Sequence, residues 1–316
     1  MSLFRRTSDV NRSNILAYAL IAPALAVLLP FAISPFFYAI YLSLFEFEAN
    51  TSEYIGGVHY VAAIQSEGFW NSVRVTIYFA VGTVIPTLLI STILALVLSH
   101  ITRLQSFLRI VYFLPFITSV VAAAMIWRAM FEPINGPITQ LFMQLGLERQ
   151  DWLLEPRGVL HILTGGAIDP TFGPSLALCC VMVFEIWRSI GFMVVILLAA
   201  LTQRSKGLEE AATLEGANRT QLAWHVILPG ISPTLMFLTV VATIQSFQAF
   251  NGFFALTGDG RGPLDTTQNM TVYIYTQFYE YGHIGYGSAN AVLLSLAIMA
   301  FTVVQLRLTG QRMQSR

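Results

Sequence analysis

The sequence predicts an all-α membrane protein with six transmembrane helices. Composition is the first reason: 55% of residues are hydrophobic, 11% are charged and the mean hydropathy is +0.66, whereas soluble domains carry roughly 25% charged residues. The second is six apolar stretches, near residues 15–45, 75–98, 107–130, 175–201, 231–254 and 284–306, each long enough for the ~20 residues a spanning helix needs. The third is the exclusion of strands. These stretches are too long and too uniformly apolar for barrel strands, which alternate over about 10 residues, and an open sheet leaves backbone groups unsatisfied in lipid.

The first stretch follows Arg5, Arg6 and Arg12, an arrangement resembling the start of a signal peptide. Its apolar run is about twice as long as a signal peptide's, with no convincing small-residue cleavage site, so it reads as a retained helix bent or broken near Pro23, Pro30 and Pro35. Five stretches hold long charge-free runs; the fourth is interrupted by Glu185 and Arg188 and also holds the adjacent Cys179 and Cys180. Neighbouring cysteines rarely pair, and no metal-ligand spacing is present, so these two read as small apolar fillers and no metal site is expected.

Charge orients the chain. Arg5, Arg6, Arg12, Arg103, Arg109, Arg204, Lys206, Arg219, Arg307, Arg312 and Arg316 fall on one side of the six spans, and Arg74, Arg128, Arg149, Arg157 and Arg261 on the other. By the positive-inside rule both termini and the loop around Glu210 are cytoplasmic. Glu46, Glu48, Glu53 and Glu67 gather in the first outside loop. The organisation is then a cytoplasmic N-terminus (1–14), a transmembrane domain (15–306) and a cytoplasmic C-terminus (307–316). The domain includes an outside loop at about 131–174, with a short amphipathic helix from Ile138 to Leu147, and a polar loop at about 202–229. Net charge is zero, which by itself says nothing about partners; a lipid membrane is required and no nucleic acid is expected.

A catalytic residue is not expected. Lys206, the only lysine, follows Ser205, so the Gly-Lys-Ser/Thr of a phosphate-binding loop is absent. Neither His-Glu-x-x-His nor Gly-x-Ser-x-Gly occurs.

The polar loop is the most informative segment. Glu209 and Glu210 suit the first turn of a short helix capped by Ser205 or Thr202, Ala211 and Ala212 favour helix and keep one face small, and Gly216 permits a sharp turn. A second short helix runs from about Arg219, and Pro229 fits the first turn of the next span. Glu210-Ala211-Ala212, Gly216 and Val226-Ile227-Leu228-Pro229 are similar in order and spacing to the Glu-Ala-Ala loop of ATP-binding cassette (ABC) importer permeases. The similarity is greatest to the carbohydrate branch typified by maltose and glycerol-3-phosphate permeases, specifically the first permease of the pair. Ala22-Pro23-Ala24, Tyr41-Leu42-Ser43-Leu44, Leu256-Thr257-Gly258, Gly262-Pro263, Thr266, Tyr273-Ile274-Tyr275 and Gly285-Tyr286-Gly287-Ser288-Ala289 extend the resemblance over most of the chain. Departures are Glu215 in place of the usual Asp, Val226 in place of Ile, extra residues around Asp259 to Arg261, and an insertion at 161–174.

The resemblance implies a permease subunit of an ATP-driven importer that takes a sugar or sugar-like polar solute from an extracytoplasmic solute-binding protein. It implies a second homologous permease and two ATP-binding cassette subunits as partners, in the cytoplasmic (inner) membrane of a bacterium or archaeon. No cofactor is held by this chain, ATP and Mg being used by the partner ATPase. Glu210, Ala211, Ala212, Gly216, Leu228 and Pro229 would couple to that ATPase.

Two sets of residues are candidates for a substrate path. Glu185 and Arg188 lie three apart on one helix face, either as an internal ion pair that fixes packing or as part of a pathway. Gln245, Ser246, Gln248 and Asn251, among Phe247, Phe250, Phe253 and Phe254, offer amides for hydroxyls and rings for a sugar's C–H face. They equally suit interhelical hydrogen bonding. The alternative function is an ion-coupled secondary transporter in which Glu185 takes the proton.

Overall fold

The computed structural model describes residues 18–48, 51–99, 101, 105–203 and 206–314. Arg5, Arg6, Arg12, Arg103, Arg204, Ser205 and Arg316, and with them the expected N-terminal segment, lie outside the described residues. The described chain is largely helical. Four helices are individually long and apolar enough to cross a membrane, and two bent pairs raise the total to six if each pair is one span. The residues cluster into two compact units, 1–65 with 274–295 and 66–273 with 296–316.

In the first unit, helix α1 (Tyr18–Leu42) has none of its apolar window buried. Of its prolines, only Pro30 marks a departure from α geometry, a π-helical turn at Leu29–Ile33; Pro23 and Pro35 are accommodated in helix. A small hairpin of β1 (Phe45–Glu48) and β2 (Thr51–Tyr54) follows, an element that the sequence reading did not anticipate beside the helices. Its alternating Phe-Glu-Phe-Glu has the two-residue period of a strand, and Phe45 meets Tyr54 edge-on across it at 5.4 Å. Next comes α2 (Val58–Gln65), whose buried His59 faces the Phe45 carbonyl at 3.1 Å. A Cβ on Gly285 would stand 2.1 Å from that same carbonyl, which explains a glycine at this point of the sequence.

The second unit is built on two long helices, α3 (Glu67–Ser99), which starts well before the expected residue 75, and α8 (Leu176–Thr202). Between them in sequence come α4 (Gln105–Ile117) and α5 (Val120–Met130), expected as one span and in fact bent by 94°. Pro115 lies in the last turn of α4 and Ser119 leaves helical geometry at ψ 126°, so the chain turns where a proline has already removed a helical hydrogen bond. Gly191 on α8 lies against the Tyr112 carbonyl of α4, where a Cβ would stand 1.8 Å away. That close crossing is flanked by stacked Phe116 and Phe192 at 4.8 Å.

The segment expected as an outside loop is a folded lobe rather than an open excursion. Helix α6 (Pro137–Gln144) is shorter than expected and ends before Gly146, at φ 75°. Buried Trp152 donates to Thr139 Oγ1 at 2.7 Å and meets Phe142 edge-on. The 161–174 segment, led in by α7 (Val159–Leu163), folds back so that Gly158 donates to Pro170 O at 2.8 Å and Val159 to Pro174 O at 3.0 Å. Glu155, buried beside Arg157, is held below the usual carboxylate range by the Arg157 guanidinium that donates to it. A carboxylate with a depressed native pKa stabilises the fold above its unfolded pKa, and that contribution is lost as pH falls through the native value. Arg157→Met is therefore expected to move acid loosening of the lobe to higher pH, read from Trp152 fluorescence.

The remaining elements are α9 (Lys206–Leu214), α10 (Arg219–Gly230), α11 (Ser232–Phe247), α12 (Asn251–Thr257), α13 (Met270–Tyr275) with a π turn after it, and α14 (Ile284–Gln314). The expected fifth span, 231–254, stops at Phe247. The carbonyls freed by the break are met by buried Asn269, which donates to Ala249 O at 2.6 Å, and by Thr271, which donates to Phe247 O at 3.1 Å. Two apolar clusters fill this unit. One includes Val75, Phe79, Leu178, Phe184 and Phe253; the other includes Val84, Met193, Leu197, Leu238 and Ala242. Cys180 is buried in the first and Cys179 packs against it, both as free thiols.

Candidate functional site

Two features stand out against this apolar body. The first is the exposed helical loop between α8 and α11. Thr202 does not cap α9: it is the last residue of α8, its hydroxyl donating back to Ala199 O at 2.8 Å. Glu209 occupies the first turn of α9 and Glu210 follows it. The helix ends in a Schellman motif, with Ala217 N donating to Ala212 O and Gly216 N to Thr213 O, each at 3.0 Å. Gly216 takes the left-handed conformation this motif needs, at φ 88°. Asn218 then opens α10 with a capping box: its side chain accepts from Gln221 N at 2.8 Å, and Gln221 Oε1 accepts from Asn218 N at 2.9 Å. The sequence reading missed this cap, although Asn-x-x-Gln is a legible signal.

Leu228 and Pro229 lie in the last turn of α10, not the first turn of the span; a 67° bend at Ile231 separates the two. Buried Ile227 and Ile231 tie this end to the second apolar cluster. The outer surface is otherwise open. Glu210 and Ala211 are exposed and Ala212 is half-buried, while Leu208, Leu214 at 89% and Trp224 at 66% exposure present apolar surface to solvent. Exposed apolar side chains on a polar, well-capped loop are of the kind found at interaction surfaces. Asn218→Ala is expected to cost about 1 kcal/mol of local helix stability, seen as faster amide exchange over 219–222.

The second feature is a small, partly open pocket of about 20 Å³ with a mixed lining, in which Thr83 and Thr87 of α3, Glu185 and Ser189 of α8, and Gln245 and Ser246 of α11 stand among Phe79, Val84, Met193 and Ala242. It lies between the levels of the two apolar clusters and has room for about one water. Arg188 Nε donates to Glu185 Oε2 at 3.1 Å, Ser189 Oγ to Glu185 Oε1 at 3.3 Å, and the Thr83 and Ser246 hydroxyls are 3.5 Å apart. Gly252 of α12 packs beside the Phe184 ring and Glu185, where a Cβ would make ordinary contacts at 3.4 and 3.5 Å.

The structure thus brings Glu185, Gln245 and Ser246 together, with Arg188 attached through Glu185. It does not bring in the others: Gln248 ends α11, Asn251 starts α12, both exposed, and Phe250 packs on Phe254. Thr83, Thr87 and Ser189 were missed. Their signal was present, since Ser72, Thr76, Thr83, Thr87 and Ser91, all buried, form a hydroxyl stripe on one face of α3 at helical spacing. Most of these hydroxyls bond the carbonyl one turn back, a low-cost way to hold polarity inside an apolar helix. Among the described residues no group of His, Cys, Asp and Glu could hold a metal ion.

Long apolar helices, a capped loop between two of them and a small, partly open pocket with polar groups among them fit a membrane permease. The chain belongs to the family described as "Binding-protein-dependent transport system inner membrane component", which matches residues 60–315. Relatives include a sn-glycerol-3-phosphate transport system permease protein of Agrobacterium fabrum, 27% identical and covering 96% of this chain and 98% of its own length. A trehalose/maltose transport system permease protein of Thermococcus litoralis is 26% identical, with 92% of each chain covered. The fold is that of a chain in a bacterial alginate ABC transporter solved with its pentasaccharide-bound periplasmic protein, at TM-score 0.79, 21% identity and 96% coverage of both chains. The family favours the importer permease over the ion-coupled transporter working through Glu185, and makes this a multi-pass inner-membrane protein.

Proposed function

We propose that this permease serves an ATP-driven importer of a sugar or sugar-like polar solute, and that the α9–α10 loop receives the drive from separate ATPase subunits. The observation that carries the reading is the exposed helix–turn–helix built on Glu210, Ala211 and Gly216, in a chain of this family. Support for the solute class comes from relatives named for glycerol-3-phosphate and for trehalose and maltose. Both termini and the loop face the cytoplasm. The assembly holds a second homologous permease, two ATP-binding cassette subunits and an extracytoplasmic solute-binding protein; ATP and Mg are used by the ATPase, and this chain is neither an enzyme nor a cofactor carrier.

ATP binding draws the loops of the two permeases together and turns the central cavity outward, where solute leaves the binding protein; hydrolysis resets it. In a cavity that holds about one water between Thr83, Glu185 and Ser246, solute passage requires α3, α8 and α11 to separate. Solute then exchanges hydrogen bonds with Gln245, Ser246 and the two threonines, and Glu185–Arg188 stays paired, keeping a net neutral wall. Gln248, Phe250 and Asn251 meet solute only beyond the break in the fifth span. Thr83→Val with Thr87→Val is expected to reduce uptake severalfold while leaving assembly intact, because a lost hydroxyl contact is worth about 1 kcal/mol. The reading itself is tested by purifying the tagged chain from native membranes and assaying ATPase with loaded binding proteins. Co-purification of a sister permease and an ATPase stimulated by one of them supports it; a chain that purifies alone and transports solute under an ion gradient refutes it.

A further inference from the structure

A larger cleft lies at the start of α3 and α8. Its volume is about 370 Å³, and its lining includes Asn71, Arg74 and Tyr78 of α3, Arg157, Thr171 and Leu264, a size within the range of small-molecule sites. Both charged residues in the lining are arginines. Arg157 is neutralised by Glu155, which accepts from its Nε at 2.8 Å and its Nη2 at 2.6 Å. Arg74 is not: its Nη2 donates to the neutral Asn71 Oδ1 at 2.8 Å, and among the described residues no carboxylate pairs with it. An unpaired guanidinium presents a fork of donors suited to a phosphate.

The position of Arg74 along α3 decides what it meets. The helix has 33 residues, about 50 Å at 1.5 Å per residue, well beyond the ~30 Å of a lipid core. Arg74 immediately precedes the charge-free run 75–98. It therefore stands at the boundary between the apolar layer and the headgroups, four residues after Trp70. Tryptophan and arginine are the residues that settle at that boundary, each with an apolar body and a polar tip.

Around the helix, Arg74 divides two faces. On one side are the cleft residues Asn71, Val75 and Tyr78. On the other, Trp70, Ile77, Val81 and Ile85 are all exposed and keep the three- and four-residue spacing of a single helix face. That stripe continues from Arg74 into the apolar layer. A guanidinium above an unbroken apolar stripe has the layout of a phospholipid, with its charged head above an acyl chain.

The cleft also holds the guanidinium in place. Asn71, which accepts from Arg74, donates through Nδ2 to Asp265 O at 3.1 Å. It thereby joins Arg74 to a strained turn in which Leu264 and Asp265 take φ 51° and 58°, costly for residues other than glycine. The turn leaves Leu264 83% exposed on the lip of the same cleft. An aliphatic side chain gains free energy by entering the lipid interface and none by standing in water.

We infer that this cleft binds one anionic phospholipid, its phosphodiester on Arg74 and an acyl chain along Ile77, Val81 and Ile85. In the orientation proposed above, on which only the choice of leaflet rests, the lipid belongs to the outer leaflet. Free phosphate offers the same charge but nothing for the apolar stripe or for Leu264. Bound there, the lipid links the 170–174 segment to α3.

The test places the full-length chain, in its native complex, in nanodiscs of equal phosphatidylglycerol and phosphatidylcholine. One of the two lipids carries brominated chains that quench tryptophan, and the signal is the quenching that Trp70→Phe removes. The wild type is expected to prefer phosphatidylglycerol about fivefold, the size expected of a single arginine at an anionic surface, and added salt should reduce that preference. Arg74→Gln is expected to abolish the preference and Arg74→Lys to retain most of it. Equal quenching by both lipids in the wild type overturns the inference, as does a preference that Arg74→Gln leaves intact. A preference lost on adding inorganic phosphate at constant ionic strength gives the cleft to a soluble anion and also overturns it. Labelling of Glu67→Cys by an impermeant maleimide from the cytoplasmic side alone would refute the orientation and the leaflet, and is distinguishable because it leaves the lipid preference untouched.

Discussion

Gly191→Ala is expected to destabilise the protein by roughly 3 kcal/mol or more, at or above the upper end of what overpacking costs. The added methyl would stand 1.8 Å from the Tyr112 carbonyl and 2.5 Å from its carbon. Both are backbone atoms, so no side-chain rotation relieves the clash. Helices α4 and α8 would have to separate, opening the Phe116–Phe192 stack and the contacts of Tyr112 and Ile190 with the second apolar cluster. Small residues at such crossings let membrane helices reach van der Waals contact that nothing else supplies. Gly191→Val should do more damage still. The readout is thermal unfolding in detergent together with yield from membranes; an alanine variant with an unchanged midpoint contradicts the crossing as described.

Glu210→Ala combined with Gly216→Val is expected to lower solute-stimulated ATPase in the assembled importer by tenfold or more, with insertion and permease pairing retained. Coupling free energies between sites are on the order of 1–3 kcal/mol, enough for that loss. The two substitutions act differently. A β-branched residue at φ 88° is strained by more than about 1 kcal/mol and undoes the Schellman closure, so α9 no longer presents its exposed face at a fixed angle to α10. Loss of Glu210 removes a charge from that face without altering the turn. Neither residue belongs to the apolar clusters, which is why insertion should survive. Normal coupling in a fully assembled double variant would contradict the role given to this loop.

What the sequence made legible follows from how local each signal is. Long charge-free runs need nothing but lipid to become helices, so α1 and α8 fall close to their expected places, while α3 begins at Glu67 rather than 75 and α14 runs on to Gln314 rather than 306. Gly216 and the helices either side of it were also readable, because a glycine turn is set by a few neighbouring residues, although the Asn218 cap was missed and Thr202 closes α8 instead of capping α9. The bends were not. Pro115 and Ser119 break the third span only because α4 and α5 each find separate neighbours to pack on, and the fifth span ends at Phe247 only because Asn269 and Thr271, some twenty residues on, satisfy the freed carbonyls. The polar cavity was half legible. Glu185, Gln245 and Ser246 stood out as polar residues in apolar runs, whereas Thr83 and Thr87 belong to a hydroxyl stripe on α3 whose partners across the pocket only the fold reveals. The hairpin at 45–54 was missed because a four-residue alternation is too short to weigh against a long apolar run beside it.

The central claim is that the exposed α9–α10 surface is where a separate ATPase engages this chain. The most direct measurement places a single cysteine at Ala211, with Cys179 and Cys180 replaced by alanine, and applies a short bifunctional cross-linker to the native complex in membranes. The account predicts a cross-linked product containing the ATP-binding subunit, whose yield changes when ATP is added. An intact complex whose Ala211 cysteine stays freely labelled by a water-soluble maleimide, with no such product, would contradict it.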